Sequence, residues 1–181
     1  GWYLRSDIIW HKPNPMPESV TDRPTKAHEY LFLLSKSERY TYDADAIAEE
    51  AIHAGAVVTN DAGKNSEMGE YGQTRGGFLR EGGVTVKDTR NKRTVWTVAT
   101  QPFKGAHFAT FPPALIEPCI LAGCPKDGTV LDPFGGAGTT GLVADRLGRN
   151  AVLCELNPEY ATMAESRIRD ENPMFTQVHI E

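Results

Sequence analysis

Between residues 128 and 155 the chain changes its periodicity in an order that few folds can accommodate. Gly128 opens a turn into Thr129-Val130-Leu131, a short apolar run of strand length. The run ends in Asp132-Pro133-Phe134-Gly135-Gly136-Ala137-Gly138-Thr139-Thr140, and a helical pattern occupies residues 139–147. Gly148-Arg149-Asn150 turns the chain into a second strand at 151–154, and Pro158 opens a further helix to about residue 170. Strand, helix, strand, helix at this spacing predicts a parallel sheet covered by helices, an α/β fold. A helix at 113–122, with proline at its start, leads into it.

Glycines between a strand end and a helix start let backbone N–H groups approach a ligand, and the helix terminus adds partial positive charge. Glu155 closes the second strand 17 residues after Gly138. A carboxylate there can accept hydrogen bonds from both hydroxyls of a ribose, because ligands of open α/β sheets sit at this carboxyl edge. A tight turn and a surface glutamate would explain each feature singly but not their order, which points to an adenosine-containing cofactor. The loop departs from the Gly-x-Gly-x-x-Gly of pyrophosphate binders: Gly135-Gly136-Ala137-Gly138 follows Asp-Pro-Phe. A nicotinamide-dependent oxidoreductase is therefore the weaker reading of it.

Upstream, residues 2–10 read as a strand, and three prolines at 13, 15 and 17 make the next stretch a stiff loop. Residues 29–34, Glu-Tyr-Leu-Phe-Leu-Leu, form an apolar run suited to burial on both faces. Residues 40–43 read as an edge strand or turn, and residues 44–52 as a short helix. Residues 54–83 hold eight of the chain's 17 glycines, so they form a long loop that buries little apolar surface. Residues 84–86 and 94–98 are expected to make the two strands of a small basic hairpin or sheet. The chain accordingly divides into three regions, 1–50, 51–100 and 101–181.

The chain has a net charge of -5, which alone opposes a partner made of phosphates. Residues 64–104, however, carry eight basic side chains against four acidic ones, leaving the remainder strongly acidic. Such asymmetry suits one segment facing an anion, through Arg75, Arg80, Arg90, Lys92 and Arg93 among others. The three cysteines, Cys119, Cys124 and Cys154, have no Cys-x-x-Cys spacing and read as reduced thiols, with no metal site. No apolar run approaches 18 residues and no secretory leader precedes the first strand, so a soluble, cytoplasmic protein without a membrane partner is expected.

The loop Asp132-Pro133-Phe134-Gly135-Gly136-Ala137-Gly138-Thr139-Thr140 resembles the S-adenosylmethionine loop of the exocyclic-amino DNA methyltransferases, which methylate cytosine N4 or adenine N6. That resemblance implies that Asp132, Phe134, Gly135, Gly136, Gly138 and Thr139 surround the methionine and ribose part of S-adenosylmethionine, with Glu155 on the ribose. Lys104-Gly105-Ala106-His107-Phe108-Ala109-Thr110-Phe111-Pro112 resembles the family segment that closes over the methionine end, which implies cofactor contacts for His107, Phe108 and Phe111. Trp10-His11-Lys12-Pro13-Asn14-Pro15-Met16-Pro17, with Lys26-Ala27-His28-Glu29 and Ser35-Lys36, is similar to the stretch near the target base, which implies a base-side place for Trp10, Lys12 and Asn14. The resemblance covers roughly residues 1–50 and 92–170, in the permuted order of the beta group, with the target-recognition region in the middle.

The resemblance implies a Rossmann-like methyltransferase sheet, incomplete at its N-terminal side, with a basic loop-rich insertion. It implies an enzyme of DNA methylation and restriction-modification that acts on double-stranded DNA, with cytosine N4 favoured over adenine N6. The family's Asp/Ser-Pro-Pro-Tyr tetrapeptide, expected upstream of Trp2, does not occur in these 181 residues. Phe111-Pro112-Pro113-Ala114 lacks both the polar acceptor and the aromatic ring, and Asn157-Pro158-Glu159-Tyr160 has Glu where the second proline belongs. The catalytic residues are therefore not assigned. Two expectations remain: an active enzyme whose missing strand is supplied by an N-terminal polypeptide or dispensed with, or an inactive remnant that binds cofactor or DNA and forms a homo-oligomer through an exposed sheet edge. Pro118-Cys119 has the form of a cytosine-carbon nucleophile but lies within a helical pattern, so Cys119 is expected to pack. His11, His28 and His107 are read as packing or lining residues, not as bases.

Overall fold

The computed structural model describes residues 1–58, 84–101, 110–171, 173 and 176–179. They divide into two compact units, one formed by Gly1–Ile47 with Arg93–Glu181 and the other by Ala48–Lys92.

In the first unit, β1 (Tyr3–His11) pairs antiparallel with β2 (His28–Ser35). The 3-10 turn Asp45–Ile47 comes next. In the second unit, β3 (Glu49–Glu50) pairs with β6 (Thr89–Arg90), and β4 (Val57–Val58) with β5 (Val84–Thr85), both antiparallel. The chain returns to the first unit as β7 (Val95–Thr97), which adds to β1 in parallel and gives the order β2-β1-β7. Then come α1 (Pro113–Gly123), β8 (Thr129–Asp132), α2 (Thr139–Arg146), β9 (Asn150–Leu153) and α3 (Pro158–Glu171). Strands β8 and β9 are parallel and joined through α2, the right connection for strands that cannot share a hairpin.

Helix α1 joins the two halves of the core. Its Leu115 packs with Trp10 of β1 and Trp96 of β7, while its Ile120 packs with Val143 and Ala144 of α2. Pro113 suits the first helical position, where no N–H partner is needed. Pro118 lies inside the helix, which continues through it to Gly123.

Four expectations are corrected. Residues 29–34 are not covered on both faces: Leu31 and Leu33 turn inward, whereas Tyr30, Phe32 and Leu34 are exposed along the other face. Residues 40–43 form neither a strand nor a turn. Residues 44–52 do not form a helix; the Asp43 carboxylate accepts the Ala46 N–H at 2.9 Å and starts a single 3-10 turn, after which Glu49–Glu50 pair with β6. Residues 84–86 and 94–98 are not partners. The first run pairs with β4, and Trp96 aligns with Trp10 on β1, where both indoles are buried.

Candidate functional site: a glycine loop gripped by Glu155

Asp132 ends β8 and braces the glycine loop. Its Oδ1 accepts the Phe134 N–H at 3.0 Å, and its Oδ2 accepts the Thr140 hydroxyl at 2.5 Å, which ties the start of the loop to the first turn of α2. Asp132→Ala is expected to lower the free energy of unfolding by about 2 kcal/mol in urea, because two bonds to a charged acceptor are lost. Asp132→Asn should recover much of it, since the Thr140 hydroxyl can reverse its role and accept from the amide. An unchanged urea midpoint for Asp132→Ala would show that the brace contributes nothing.

Beyond β8 and β9 the ladder continues through the loop: Cys154 donates its N–H to Asp132 O at 2.9 Å, and Gly135 donates to Cys154 O at 2.8 Å. Gly136 and Gly138 take positive φ, 49° and 76°, where side chains are strained. The Glu155 carboxylate then closes the loop. Oε2 accepts the Gly136 N–H at 2.8 Å and Oε1 accepts the Asn157 N–H at 2.9 Å. The N–H groups of Asn157 and Gly136 hold this carboxyl below its ordinary range, against a small opposing effect of burial.

The structure thus brings Asp132, Phe134, Gly135, Gly136, Gly138, Thr139 and Glu155 together at one strand-end turn. Phe134 is 87% exposed beside the loop, and Leu156, next in the chain after the acid, is 99% exposed. Leu156 was missed in the sequence reading; an apolar residue placed directly after the strand-end acid was the available signal. A groove of about 780 Å³ touches Gly135, Gly136 and Glu155 at one end and runs along β9 between Leu153 and Ile168 of α3. Most of it is the space beside a strand that, among the described residues, pairs only with β8.

The base-side residues lie around the end of β1. Trp10 is 5% exposed and donates its indole N–H to Val98 O at 2.7 Å, a core position. The Lys12 ammonium lies 4.4 Å above the Trp10 ring and is bonded to Glu29. Asn14 clamps the peptide of Thr100: its Oδ1 accepts the Thr100 N–H at 3.0 Å, and its amide donates to Thr100 O at 3.2 Å. Phe111 packs against the cluster of Trp10, Trp96 and Leu115. Arg75, Arg80, His107 and Phe108 lie outside the described residues. In the second unit Arg90 pairs with Glu49 at 3.6 Å, and Lys92 is half-buried; in the first unit Arg93 is exposed.

The near-matches find structural roles. Asn157 Oδ1 accepts the Glu159 N–H at 2.9 Å, the helix-capping arrangement at the start of α3. The Cys119 thiol reaches Leu115 O at 3.7 Å within α1, and burial pushes its pKa up to about 11, so little thiolate exists at neutral pH. Among the described residues no group of three or more His, Cys, Asp or Glu could hold a metal ion, and no helix is long and apolar enough to cross a membrane.

Comparison with known proteins agrees with this geometry. The family model described as DNA methylase matches residues 1–166, and the chain belongs to that family. The Type II methyltransferase M.Cfr9I of Citrobacter freundii is 50% identical over 172 residues, which are 95% of this chain and 46% of that protein. This chain therefore spans about half the length of that relative. The structure of PvuII DNA methyltransferase (cytosine-N4-specific) is similar with a TM-score of 0.63 at 21% identity, covering 100% of this chain and 54% of that one. That of the M1.HpyAVI-SAM complex gives 0.56 at 23%, covering 92% and 62%. The fold is that of a Rossmann-like methyltransferase sheet.

Proposed function

We propose that this chain is the cofactor-binding and base-side portion of a site-specific DNA methyltransferase. It binds S-adenosylmethionine, and the complete site moves the methyl group to the exocyclic amino group of a base flipped out of duplex DNA. The observation that carries this reading is the Gly135 to Gly138 loop, closed by Glu155 at the carboxyl end of two parallel strands. The Glu155 carboxylate accepts backbone N–H groups from Gly136 and Asn157, with a weaker contribution from Leu156, and its remaining acceptor capacity suits the hydroxyls of a ribose. Phe134, which precedes the loop glycines, and Leu156, which follows the acid in the chain, are both exposed and offer apolar surface for a purine.

When bound, S-adenosylmethionine supplies a methyl group on a positively charged sulfur. This chain's residues hold it in line with the incoming amine, and placement contributes more than a strong base does. The similarity of residues 10–35 to cytosine-N4 enzymes favours cytosine over adenine. The region of residues 51–100, with Arg90, Lys92 and Arg93 and with Arg75 and Arg80 outside the described residues, is proposed to meet the phosphates and bases of the target. Nothing in the family match supports a nicotinamide oxidoreductase.

A second reading rests on the exposed apolar side of β8 and β9. On that reading these residues bind cofactor or DNA, and methyl transfer needs a further polypeptide that carries the tetrapeptide. Such a partner, or a second copy, would cover the side where Leu131 of β8 is 65% and Val152 of β9 is 51% exposed.

Calorimetry with S-adenosylhomocysteine, together with transfer of labelled methyl from S-adenosylmethionine into duplex DNA, tests both readings. Binding by the chain alone, with methyl incorporation only after complementation, is the expected result. Methylation by the chain alone would remove the second reading. No heat from folded protein, with thermal stabilisation by NAD instead, would overturn the methyltransferase reading.

A further inference from the structure

Helix α3 lies directly behind the glycine loop. A Cβ added at Gly138 would stand 2.8 Å from Ala164 Cβ and 3.3 Å from Ile168 Cδ1. Ala164, Arg167 and Ile168 have the i, i+3, i+4 spacing of one helical face, so the side chain between the two apolar contacts is also turned to the loop. Arg167 Nη1 donates to Ala137 O and to Thr139 Oγ1, both at 2.9 Å.

These contacts are not explained by helix electrostatics. A cation at a helix N-terminus meets the unfavourable end of the dipole, and Arg167 sits at the start of α2. The Ala137 carbonyl precedes the cap residue Gly138 and lies outside the helical ladder, so it needs a donor from elsewhere. Burial, and then repulsion from Arg146, lower the pKa of the Arg167 guanidinium, partly offset by attraction from Glu171. Glu171 is itself bonded to Arg146 at 2.6 Å. The bonds to Ala137 O and Thr139 Oγ1 offset those costs.

We propose that Arg167 is a positioning residue for the cofactor loop, holding the carbonyl of Ala137 and the hydroxyl of Thr139 from behind. On the other side, Gly135 and Gly136 are tied to Cys154 and Glu155. The loop's two positive-φ glycines are the most permissive backbone of the segment: Gly136 is held by Glu155, and Gly138 lies between the two residues that Arg167 holds. Fixing both sides removes ordering that ligand binding would otherwise have to supply, which raises affinity without a contact to the ligand. The inference rests on the proposal that this loop binds S-adenosylmethionine.

The test is calorimetry with S-adenosylhomocysteine on the full chain, at a temperature where circular dichroism shows every variant folded. Arg167→Met is expected to bind about tenfold more weakly than wild type. Arg167→Lys, whose ammonium can still donate to both acceptors, should stay within about threefold. Arg169→Met, on the same helix but paired with Glu165, should bind as wild type. Thr139→Val keeps the guanidinium and removes one partner, so it provides the measurement if Arg167→Met does not fold; a loss of about threefold is expected. The double variant Arg167→Met with Thr139→Val should be no weaker than Arg167→Met alone. Wild-type affinity in Arg167→Met, or full additivity in the double variant, would overturn the inference alone. Absence of binding by wild type would overturn the cofactor proposal and this inference with it.

Discussion

Replacing Gly138 by alanine is expected to lower the free energy of unfolding by about 3 kcal/mol and the midpoint temperature by roughly 9 °C. Two costs coincide there. The backbone has φ of 76°, a left-handed conformation that costs an ordinary residue about 1–2 kcal/mol. The added Cβ also stands 3.1 Å from the Cα of Ala164, a backbone atom that moves only if α3 moves. Gly136→Ala separates these costs. Its φ of 49° carries similar strain, but its added Cβ finds nothing nearer than Phe134 O at 3.9 Å, so a loss of about 1 kcal/mol is expected. Urea unfolding of both variants, monitored by far-ultraviolet circular dichroism, decides the matter. Equal losses would show that backbone conformation alone sets the requirement for glycine and that the approach of α3 is not tight.

The elements around that loop were legible because their determinants are local. The change from an apolar run to glycines to helical spacing lies within residues 128–171, and the observed β8, α2, β9 and α3 fall where the residues placed them. Short strands whose partners are distant in sequence were not legible. Residues 94–98 carry the aromatic and β-branched character of a strand, yet nothing local distinguishes β5 from β1 as a partner. The Trp10 indole bond to Val98 O and the burial of both tryptophans select β1. Residues 44–52 contain helix formers, but the pairing of Glu49–Glu50 with Thr89–Arg90 overrides that preference across some forty residues. In β2 an apolar run reported strand formation correctly and said nothing about which faces are covered.

The candidate site shows the same division. Spacing placed Glu155 at the strand end beside the glycine loop. It did not reveal that both carboxylate oxygens are already engaged by backbone N–H groups. Arg167 was invisible because its partners are a main-chain carbonyl and a threonine hydroxyl, neither of which leaves a mark in the sequence. Asn14 read as base-side by resemblance, and the structure places both polar atoms of its side chain on the peptide of Thr100.

Glu155→Ala is expected to weaken S-adenosylhomocysteine binding about 100-fold, because one substitution removes the acceptor for the sugar hydroxyls and the clamp on Gly136. Glu155→Gln separates the two roles. The amide keeps one acceptor oxygen, but its NH2 must face the N–H of Gly136 or Asn157, and two donors cannot bond. Neither backbone N–H can reverse its role as the Thr140 hydroxyl can beside Asp132, so Gln should bind within about threefold of Ala. Near-wild-type affinity in Glu155→Gln would show that the loop does not depend on the clamp. The pH dependence provides an independent check. A carboxyl held below its ordinary value of 4.5 contributes fully above that value, and the contribution is lost only as pH falls through the lower folded value. Affinity per folded molecule should therefore stay level from pH 8 to about 5 and decline only in more acidic solution. A decline already present between pH 7 and 5, absent from Glu155→Ala, would mean that the carboxyl titrates above its ordinary value. The backbone bonds from Gly136 and Asn157 could then not be the interactions that hold it.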